Sequence, residues 1–532
     1  MSKRSFRLLA LLPALAALAA AGWLLLRRPL PRHVFLITLD TLRADAVDYR
    51  SGGDTATPNL AALAAAGVRF ANAYSVIPIT TPSHAAMFYS LPPHALQQYN
   101  NGQRLQAPYP PLAEIMKRNG FATGAVVSLA VLKREFGLDR GFDRYEENFR
   151  PFLWYRSAEE VNRDAFAMIR RLKGGRSFVW LHYSDPHEPY FPPGGRERFT
   201  ASCAGETLFS GPSSEQPVLR LRLLLRPGAN EVTLDTEPPA GGFTSIAFSD
   251  LRVEALEPGR TIRLGPSSDL QPRSERYGRV TFHTTSARSS LDLTLAGDQP
   301  CRAELAFKYQ LKTGDEAMRR GYRREVAYLD GQIGRLIGFL KSEGLYKTSA
   351  FLVLGDHGEG LGEYNGHFGH IHYLNKVYTH VPFFISGRGV RGRGERRQPV
   401  SNLSVAPTLL AMAGIAPPAY MTGHDALKGG GDPRLFMETY SPEAYFDSFA
   451  VVRFPWQLVF QPGRREGQME FYDLAADPLG TANLQAGGDP SGQRPEMTAA
   501  VLRLSRAITS ARRRLGGSEK KTMDTLKTLG YL

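Results

Sequence analysis

Short apolar runs that end at polar residues recur along the chain. The run His33–Leu39 stops at Asp40, and the run at residues 350–354 is followed by Gly355 and Asp356. Residues 177–182 form a third run of the same kind. Continuous apolar runs of this length are typical of strands buried on both faces of a parallel sheet.

Helical patterns separate these runs. Thr57 and Pro58 are an N-cap and a first-turn proline, and Gly67 ends the Ala-rich segment that follows. A second helix is predicted by apolar residues at helical spacing, namely Tyr322, Val326, Leu329, Ile333, Leu336 and Leu340. The alternation predicts an α/β fold with a mostly parallel central sheet sandwiched by helices.

Beyond Pro193 the hydrophobic pattern changes to a period of two. Apolar and polar residues alternate between Pro and Gly turns at residues 218–226, 261–264, 291–295 and 303–311. Such segments predict antiparallel strands, here a β-sandwich-like module inserted at residues 200–312.

The domain organisation follows from these changes of pattern. The insertion divides a catalytic α/β domain into residues 33–199 and 313–435. Shorter strand-like runs at 450–452 and 457–461, followed by a polar helical tail, predict a small C-terminal antiparallel subdomain at 436–532.

The first 32 residues form a predicted leader. An apolar run at residues 8–26 lies between basic residues, and as a helix it would be about 28 Å long, enough to span a bilayer. The small residues at 19–21 could instead form a signal-peptidase site. Either interpretation predicts an extracytoplasmic protein, on the periplasmic side, that is membrane-anchored or secreted.

The net charge of +14 favours anionic partners. Export argues against nucleic acid, and the Arg-rich stretches do not form a basic stripe interleaved with stacking aromatics. The two cysteines, Cys203 and Cys301, lie near the two ends of the insertion, and a lone pair in an exported protein usually forms a disulfide. Two buried free thiols are the alternative.

The strand ends carry the candidate chemistry. Asp40 and Asp356 each follow a predicted buried strand, and ligands of open parallel sheets bind at those carboxyl ends. Two carboxylates meeting there would repel unless a divalent cation lay between them. His357 adds a nitrogen and Thr80 a further oxygen, a set that suits Ca²⁺, Mg²⁺, Mn²⁺ or Zn²⁺.

Five histidines are concentrated between positions 357 and 380, which favours a metal or anion site over chance. They are His357, His367, His370, His372 and His380. We expect His380 to lie outside the site, because it precedes a predicted strand.

Thr80 precedes a predicted helix. Pro82 suits a first turn with Thr81 as the cap, which would leave Thr80 at a helix N-terminus, where the helix dipole and free N–H groups stabilise an alkoxide. Plain helix capping is the alternative. A nucleophile–base pair of Ser83 and His84 is disfavoured, because adjacent helical residues do not face each other.

Several motifs together resemble the sulfatase family of the alkaline phosphatase-like superfamily. In chain order they are Asp40-Thr41-Leu42-Arg43-Ala44-Asp45, Thr57-Pro58-Asn59-Leu60, Gly67-Val68-Arg69-Phe70, Asp185-Pro186-His187, Gly355-Asp356-His357-Gly358-Glu359, Ala406-Pro407-Thr408-Leu409 and Tyr472-Asp473-Leu474. Apart from the insertion they cover nearly all of residues 33–500.

The resemblance implies roles for individual residues. Asp40, Asp356 and His357 become metal ligands, with Thr41 and Thr80 lining the same site, and the implied metal is Ca²⁺. His187 and His370 are expected to contact the ester group.

The nucleophile motif departs from the family pattern. Family members carry Cys or Ser, any residue, Pro, any residue, Arg, and the first residue is converted to formylglycine; here the stretch is Thr80-Thr81-Pro82-Ser83-His84. A threonine cannot act as the geminal diol, so an ester on Thr80 would need water to cleave it. His84 replaces the arginine, and His187 or His84 is expected to protonate the leaving oxygen.

The function expected from these features is metal-dependent hydrolysis of sulfate or phosphate esters through attack by Thr80. The substrate would be anionic and could be a glycan or lipid-linked. Two alternatives remain open: a cell-envelope phosphotransferase that moves a lipid headgroup onto a glycan, and a non-catalytic protein that binds a glycan through its insertion.

Overall fold

The computed structural model describes residues 30–49, 57–149, 154–188, 190, 198–211, 219–237, 245–266, 270–274, 280–312, 314–364, 366–440, 447–463 and 469–515. The predicted leader therefore lies almost entirely outside the described residues. Within the described part of the chain, no helix is long and apolar enough to cross a membrane.

The helices and strands are numbered in chain order. The helices are α1 Pro58–Ala65, α2 Thr80–Tyr89, α3 Pro93–Leu96, α4 Leu112–Arg118, α5 Ala158–Leu172, α6 Asp315–Ser342, α7 Lys376–Thr379, α8 Val405–Met412 and α9 Arg494–Leu515. The strands up to the insertion are β1 His33–Leu39, β2 Val68–Phe70, β3 Ala73–Tyr74, β4 Ala122–Val126, β5 Arg144–Glu146 and β6 Ser177–Tyr183.

The remaining strands lie in the insertion and in the second half of the chain. Those of the insertion are β7 Arg198–Cys203, β8 Glu206–Gly211, β9 Leu219–Leu225, β10 Gly228–Glu237, β11 Ser245–Ala255, β12 Ile262–Pro266, β13 Gln271–Ser274, β14 Val280–Thr284, β15 Arg288–Leu295 and β16 Cys301–Lys312. Those that follow are β17 Ser349–Gly355, β18 Gly360–Leu361, β19 Phe368–Gly369, β20 Phe383–Gly387, β21 Gly394–Arg396, β22 Val400–Ser401, β23 Leu435–Thr439, β24 Ser448–Arg453, β25 Trp456–Phe460 and β26 Met469–Asp473.

The central sheet confirms the predicted fold class. Over the described residues its strand order is β21-β2-β20-β17-β1-β6-β4-β5, and β1 pairs in parallel with both β17 and β6. Leu39 is in register with Gly355, so β1 and β17 end at the same edge of the sheet. Successive residues of β1 pack into separate apolar cores on the two faces of the sheet, as the continuous apolar run requires.

Local sequence signals account for the helices that cover the sheet. Helix α5 begins with a capping box, in which the Ser157 hydroxyl accepts from the Glu160 N–H and the Glu160 carboxylate accepts from the Ser157 N–H. Asp185 also accepts a hydrogen bond from the Ala158 N–H at this end of α5. Helix α6 buries the residues whose helical spacing predicted it.

The insertion forms two antiparallel sheets. Within the described residues their orders are β12-β15-β10-β7-β8 and β13-β14-β11-β16-β9, and inward side chains of both sheets share one apolar core. The period-two pattern accounts for this, because each strand buries one face and exposes the other. Near the C-terminus, β23 to β26 form a further antiparallel sheet, and α9 contacts β24 and β25.

The disulfide prediction is wrong. Cys203 ends β7 and Cys301 begins β16, so the two residues lie in different sheets of the insertion, and both are buried free thiols. The Cys301 thiol lies 3.1 Å from the Glu257 carboxylate, to which it donates.

Candidate active site

Two carboxylates meet at the carboxyl edge of the central sheet. Asp40 follows β1 and Asp356 follows β17, and both are fully buried. The backbone N–H groups of His357 and Thr41 donate to Asp356 Oδ1, at 2.7 and 3.2 Å. His182 Nε2 lies 3.2 Å from Asp40 Oδ2. Asp40 Oδ1 and Asp356 Oδ2 have no hydrogen-bond partner among the described residues.

The electrostatics of this pair favour a cation. Burial, and then the charge of Asp40, raise the pKa of Asp356 well above its usual value. Burial also acts to raise the pKa of Asp40, but the His182 hydrogen bond and nearby imidazoles together bring that pKa below its usual range. Both groups can therefore be ionised at neutral pH only if positive charge lies between them.

His357 completes a donor set that fits a divalent cation. Its Nε2 lies 3.9 Å from Asp40 Oδ1 and 3.6 Å from Asp356 Oδ2, the two unpartnered carboxylate oxygens. Its Nδ1 lies 3.0 Å from the Gly358 carbonyl, to which it donates, so the lone pair of Nε2 faces the carboxylates. Burial lowers the pKa of His357 to about 3, which keeps the imidazole neutral, as a metal ligand must be.

Thr80 lies beside this set. It is the first residue of α2, it is 1% exposed, and its Oγ1 lies 3.4 Å from His357 Nε2. The helix start differs from the expected one, because Thr81 is the second helical residue and its hydroxyl donates to the Val131 carbonyl instead of capping the helix. The Thr81 N–H donates to Asn101, and Pro82 has no N–H, so the first turn offers few free donors.

His84 is held by the backbone of Thr80 and by the Thr38 hydroxyl. Its Nδ1 donates to the Thr80 carbonyl at 2.8 Å, and its Nε2 accepts at 3.0 Å from the Thr38 hydroxyl, which itself accepts from Trp180 Nε1. Burial lowers the pKa of His84 to about 3. The structure thus differs from the expectation that His84 protonates a leaving group, because protein groups already occupy both of its nitrogens.

Thr41 also differs from the expectation that it lines the metal site. Its hydroxyl donates to the Asp40 carbonyl at 2.7 Å, so only its backbone reaches the carboxylate pair, through the hydrogen bond to Asp356. The residue has φ = 56°, in the left-handed region that β-branched residues rarely adopt. The turn after β1 therefore holds the Thr41 N–H against Asp356 at the cost of backbone strain.

The structure brings His370 and His187 to the same place. The ring of His370 lies 4.6 Å from that of His357 and 5.0 Å from that of His187, measured between centroids. Trp154 continues this row, with its ring 5.2 Å from His187. Imidazoles and one indole thus line one side of the site.

Two other histidines of the cluster form hydrogen bonds elsewhere. His380 Nε2 donates to the Ala71 carbonyl at 2.8 Å, and His367 Nδ1 lies 3.3 Å from the Tyr378 hydroxyl.

Two further residues belong to this constellation and were missed by sequence reasoning. His182 lies in β6 in register with Thr38, which places its ring against Asp40. A polar residue near the end of an otherwise apolar strand was the available signal. Glu359 is fully buried and its Oε2 lies 2.8 Å from His370 Nδ1, although a Glu in a Gly-rich loop would ordinarily be expected at the surface.

Comparisons with known proteins identify the family and the fold. The family profile described as Sulfatase matches residues 32–415. A choline-sulfatase of Rhizobium meliloti (strain 1021) is 23% identical over 499 residues, which cover 89% of this chain and 86% of the relative.

Two solved structures share the fold. The structure of BT4656 in complex with its substrate D-glucosamine-2-N,6-O-disulfate has a TM-score of 0.59 at 14% identity, covering 91% of this chain and 99% of that chain. The phosphonate monoester hydrolase of Agrobacterium radiobacter has a TM-score of 0.54 at 16% identity, covering 92% and 97%. The family profile spans more than half of the chain, and the chain therefore belongs to the sulfatase family of ester hydrolases.

Proposed function

We propose that this protein hydrolyses sulfate or phosphate esters with a bound divalent cation and with Thr80 as the nucleophile. The observation that carries the proposal is the position of the buried Thr80 hydroxyl, 3.4 Å from His357 Nε2. His357 in turn faces the unpartnered oxygens Asp40 Oδ1 and Asp356 Oδ2.

The residues proposed to hold the cation are Asp40, Asp356, His357 and Thr80. One carboxylate oxygen of each aspartate is fixed by protein donors and the other is left for the cation. A divalent cation in this place supplies positive charge that favours the Thr80 alkoxide and withdraws electrons from the ester. Ca²⁺ is proposed first from the family resemblance, with Mn²⁺, Mg²⁺ and Zn²⁺ as alternatives.

The remaining side chains orient the reacting groups. His84 holds the Thr80 carbonyl through its Nδ1, which fixes the first turn of α2 and with it the Thr80 side chain. His187 lies at the less buried end of the imidazole row, where we propose that it donates a proton to the leaving oxygen. His370 lies between His187 and His357, next to the transferred group.

The proposed substrates are anionic esters, with sulfated or phosphorylated glycans first. The choline-sulfatase, the protein solved with a disulfated glucosamine and the phosphonate monoester hydrolase all act on small anionic ester or sulfate groups, according to their names. The net charge of +14 is compatible with such partners. From the apolar run at residues 8–26 we further propose that the protein works outside the cytoplasm, on the periplasmic side, anchored to the membrane or secreted.

Thr80 also supports a second candidate function, transfer of a phosphate-linked headgroup to an acceptor other than water. A threonine ester lacks the self-cleaving chemistry of formylglycine, so an acceptor alcohol could compete with water for it. Turnover of a labelled ester in the presence of glycan acceptors separates the two reactions, because transfer yields a labelled glycan and hydrolysis yields free sulfate or phosphate.

Intact-protein mass spectrometry tests the proposed nucleophile. Metal-loaded protein is incubated with p-nitrophenyl sulfate and p-nitrophenyl phosphate, and Thr80→Ala serves as the comparison. We expect Thr80→Ala to lower turnover at least about 1,000-fold, in the range of nucleophile removals, and any adduct of the wild type to map to Thr80. Thr81→Ala is the matched control and should retain the reaction. Unchanged turnover of both esters by Thr80→Ala would refute the assignment.

A further inference from the structure

A fully buried carboxylate lies next to the proposed site without belonging to the cation set. Glu359 Oε1 accepts a hydrogen bond from the Tyr190 hydroxyl, and Glu359 Oε2 lies 2.8 Å from His370 Nδ1. Arg43 donates to the backbone carbonyl of Glu359 at 3.2 Å. Because both carboxylate oxygens already have protein partners, Glu359 is arranged to hold His370 rather than to bind a cation.

The contact with Glu359 orients the His370 ring. The two nitrogens of an imidazole lie on opposite edges, so a ring with Nδ1 on Glu359 turns Nε2 away from Glu359. The same ring packs 4.6 Å from His357, whose Nε2 lies 3.4 Å from Thr80 Oγ1. The His370 side chain is only 9% exposed, which leaves it little freedom to turn.

The backbone after His370 is held as well. Ile371 has φ = 85°, a left-handed conformation that is a clear outlier for a β-branched residue. Its carbonyl accepts a hydrogen bond from the Thr439 hydroxyl at the end of β23. Strain of this kind persists only where surrounding contacts determine the conformation, and it is concentrated at functional sites.

The proposed function leaves a chemical requirement that these contacts meet. An ester on Thr80 cannot collapse by itself, so its second half-reaction needs water, and that water must lose a proton as it attacks. His187 is already proposed as the donor to the leaving oxygen. A second imidazole, oriented by a carboxylate and placed beside the transferred group, can act as the base that removes this proton and makes the water a nucleophile.

We propose that Glu359 is a positioning residue that holds His370 so that His370 Nε2 takes the proton of the water that cleaves the Thr80 ester. The inference rests on the proposed function. In this step the water oxygen bonds to sulfur or phosphorus while the bond to Thr80 Oγ1 breaks. The water proton moves to His370 Nε2 and then to Thr80 Oγ1, which restores the Thr80 hydroxyl and releases sulfate or phosphate.

Separate measurement of the two half-reactions tests the proposal. Metal-loaded wild type, Glu359→Gln and His370→Gln are mixed rapidly with p-nitrophenyl sulfate and p-nitrophenyl phosphate. Both variants should release about one p-nitrophenol per protein in a burst. A steady rate at least about 100-fold below that of the wild type should follow, as expected for loss of a general base. Intact mass should show the ester accumulating on Thr80.

A merely structural role would give another result. Lower rates in both half-reactions of either variant, without an ester on Thr80, would overturn the proposal. Since Glu359→Gln could perturb the buried cluster, metal content is measured in parallel, and His370→Gln provides the independent test at a less buried side chain. The double variant should be no slower than the slower single variant, because the two residues act as a unit; multiplied effects would contradict this.

The test also distinguishes this inference from the proposed function. If the wild type turns over no ester, or if its turnover survives Thr80→Ala, the proposed function fails. If turnover depends on Thr80 but the variants accumulate no ester on it, only the role of Glu359 and His370 fails.

Discussion

At the scale of single residues, the site consists of polar groups that the fold has left incompletely satisfied. Asp356 is the clearest case, because two backbone N–H groups bind one of its oxygens while the other faces Asp40 Oδ1 and His357. Such a carboxylate destabilises the metal-free protein and becomes favourable when a cation binds. Under the proposed function, binding of the cation and folding would therefore be coupled at this residue.

Asp356→Asn should separate these two effects. The amide cannot neutralise a cation, so we expect metal affinity to fall about 100-fold or more, beyond the losses seen for residues that only orient ligands. In EDTA the same variant should unfold at a higher temperature than the wild type, because the repulsion with Asp40 is gone. Metal analysis and thermal unfolding measure the two quantities. Asp143→Asn, at a partly exposed aspartate, is the control and should keep its metal.

Thr41 carries a strain that can be measured directly. Its φ of 56° favours glycine, so Thr41→Gly should be more stable than Thr41→Ala by about 1 kcal/mol. At the exposed helical residue Ala62 the order should be reversed, with Ala62→Gly less stable than the wild type by about 1 kcal/mol. Urea unfolding of the four proteins supplies the comparison. Equal stability of the two Thr41 variants would show that the turn is not strained.

At the scale of elements, the sequence predicted those parts of the site that follow from strand ends. Asp40 and Asp356 could be placed together because β1 and β17 are continuous apolar runs that each end before an acidic residue. His182 could not be placed, because its contact with Asp40 depends on the register between β6 and β1. The cap at Thr81 was predicted wrongly because a contact with Val131, fifty residues away, outweighs the local preference.

The loop between β17 and α7 depends on the C-terminal sheet. The Leu374 carbonyl accepts from Gln457 at 2.7 Å, Tyr364 donates to Glu470, and Ile371 accepts from Thr439. The partners of the loop, Gln457, Glu470 and Thr439, come from three different strands. No sequence motif links them to the loop. The C-terminal subdomain therefore does more than cover a core, because it holds the backbone that carries His370.

Thr439→Val tests that dependence. The substitution keeps the side-chain shape and removes the hydrogen bond to the Ile371 carbonyl, so the strained turn should relax and turnover should fall about 10-fold, with metal content unchanged. Thr348→Val removes a comparable hydroxyl-to-carbonyl bond, to Leu345, next to the opposite end of β17. Thr348→Val should lower the free energy of unfolding by about 1 kcal/mol, as much as Thr439→Val does, while keeping full turnover. Equal losses of turnover in both variants would show that the hydrogen bond from Thr439 to the Ile371 carbonyl has no particular role in placing His370.

At the scale of the whole molecule, the architecture was predictable because its layers have distinct periodicities. Continuous apolar runs predicted the central sheet, and runs with a period of two predicted the insertion. The free state of Cys203 and Cys301 was not predictable, because it depends on which sheet each residue enters and where its side chain points. The charge state of the buried carboxyl and imidazole groups in the candidate site was likewise not predictable, because it depends on contacts between groups that are distant in sequence.

That charge state should determine how the stability of the metal-free protein depends on pH. Burial lowers the pKa of His84, His357 and His370 to about 3, so each of these groups adds stability as pH rises, and that contribution is complete by about pH 6.5, the pKa of an unfolded histidine. In the metal-free protein, burial raises the pKa of Glu359 to about 8, so the folded state binds an extra proton, and the stability that this proton contributes is lost as pH rises toward 8. A bound cation would lower that pKa, so the ionised carboxylate that holds His370 belongs to the metal-loaded protein.

Between pH 6.5 and 8 only the carboxyl groups change the stability: the contribution of the Glu359 proton is being lost, and the raised pKa of Asp356 acts in the same direction. We therefore expect the free energy of unfolding in EDTA to fall by at least about 2 kcal/mol across this interval, because each carboxyl that stays protonated in the folded state contributes about 1.4 kcal/mol per pH unit. Urea unfolding at constant ionic strength measures it. Glu359→Gln should show a smaller fall, and a saturating divalent cation should reduce the fall in the wild type by neutralising the cluster. Stability that stays constant or rises from pH 6.5 to 8 in EDTA would mean that these carboxylates are ionised in the folded protein without a cation.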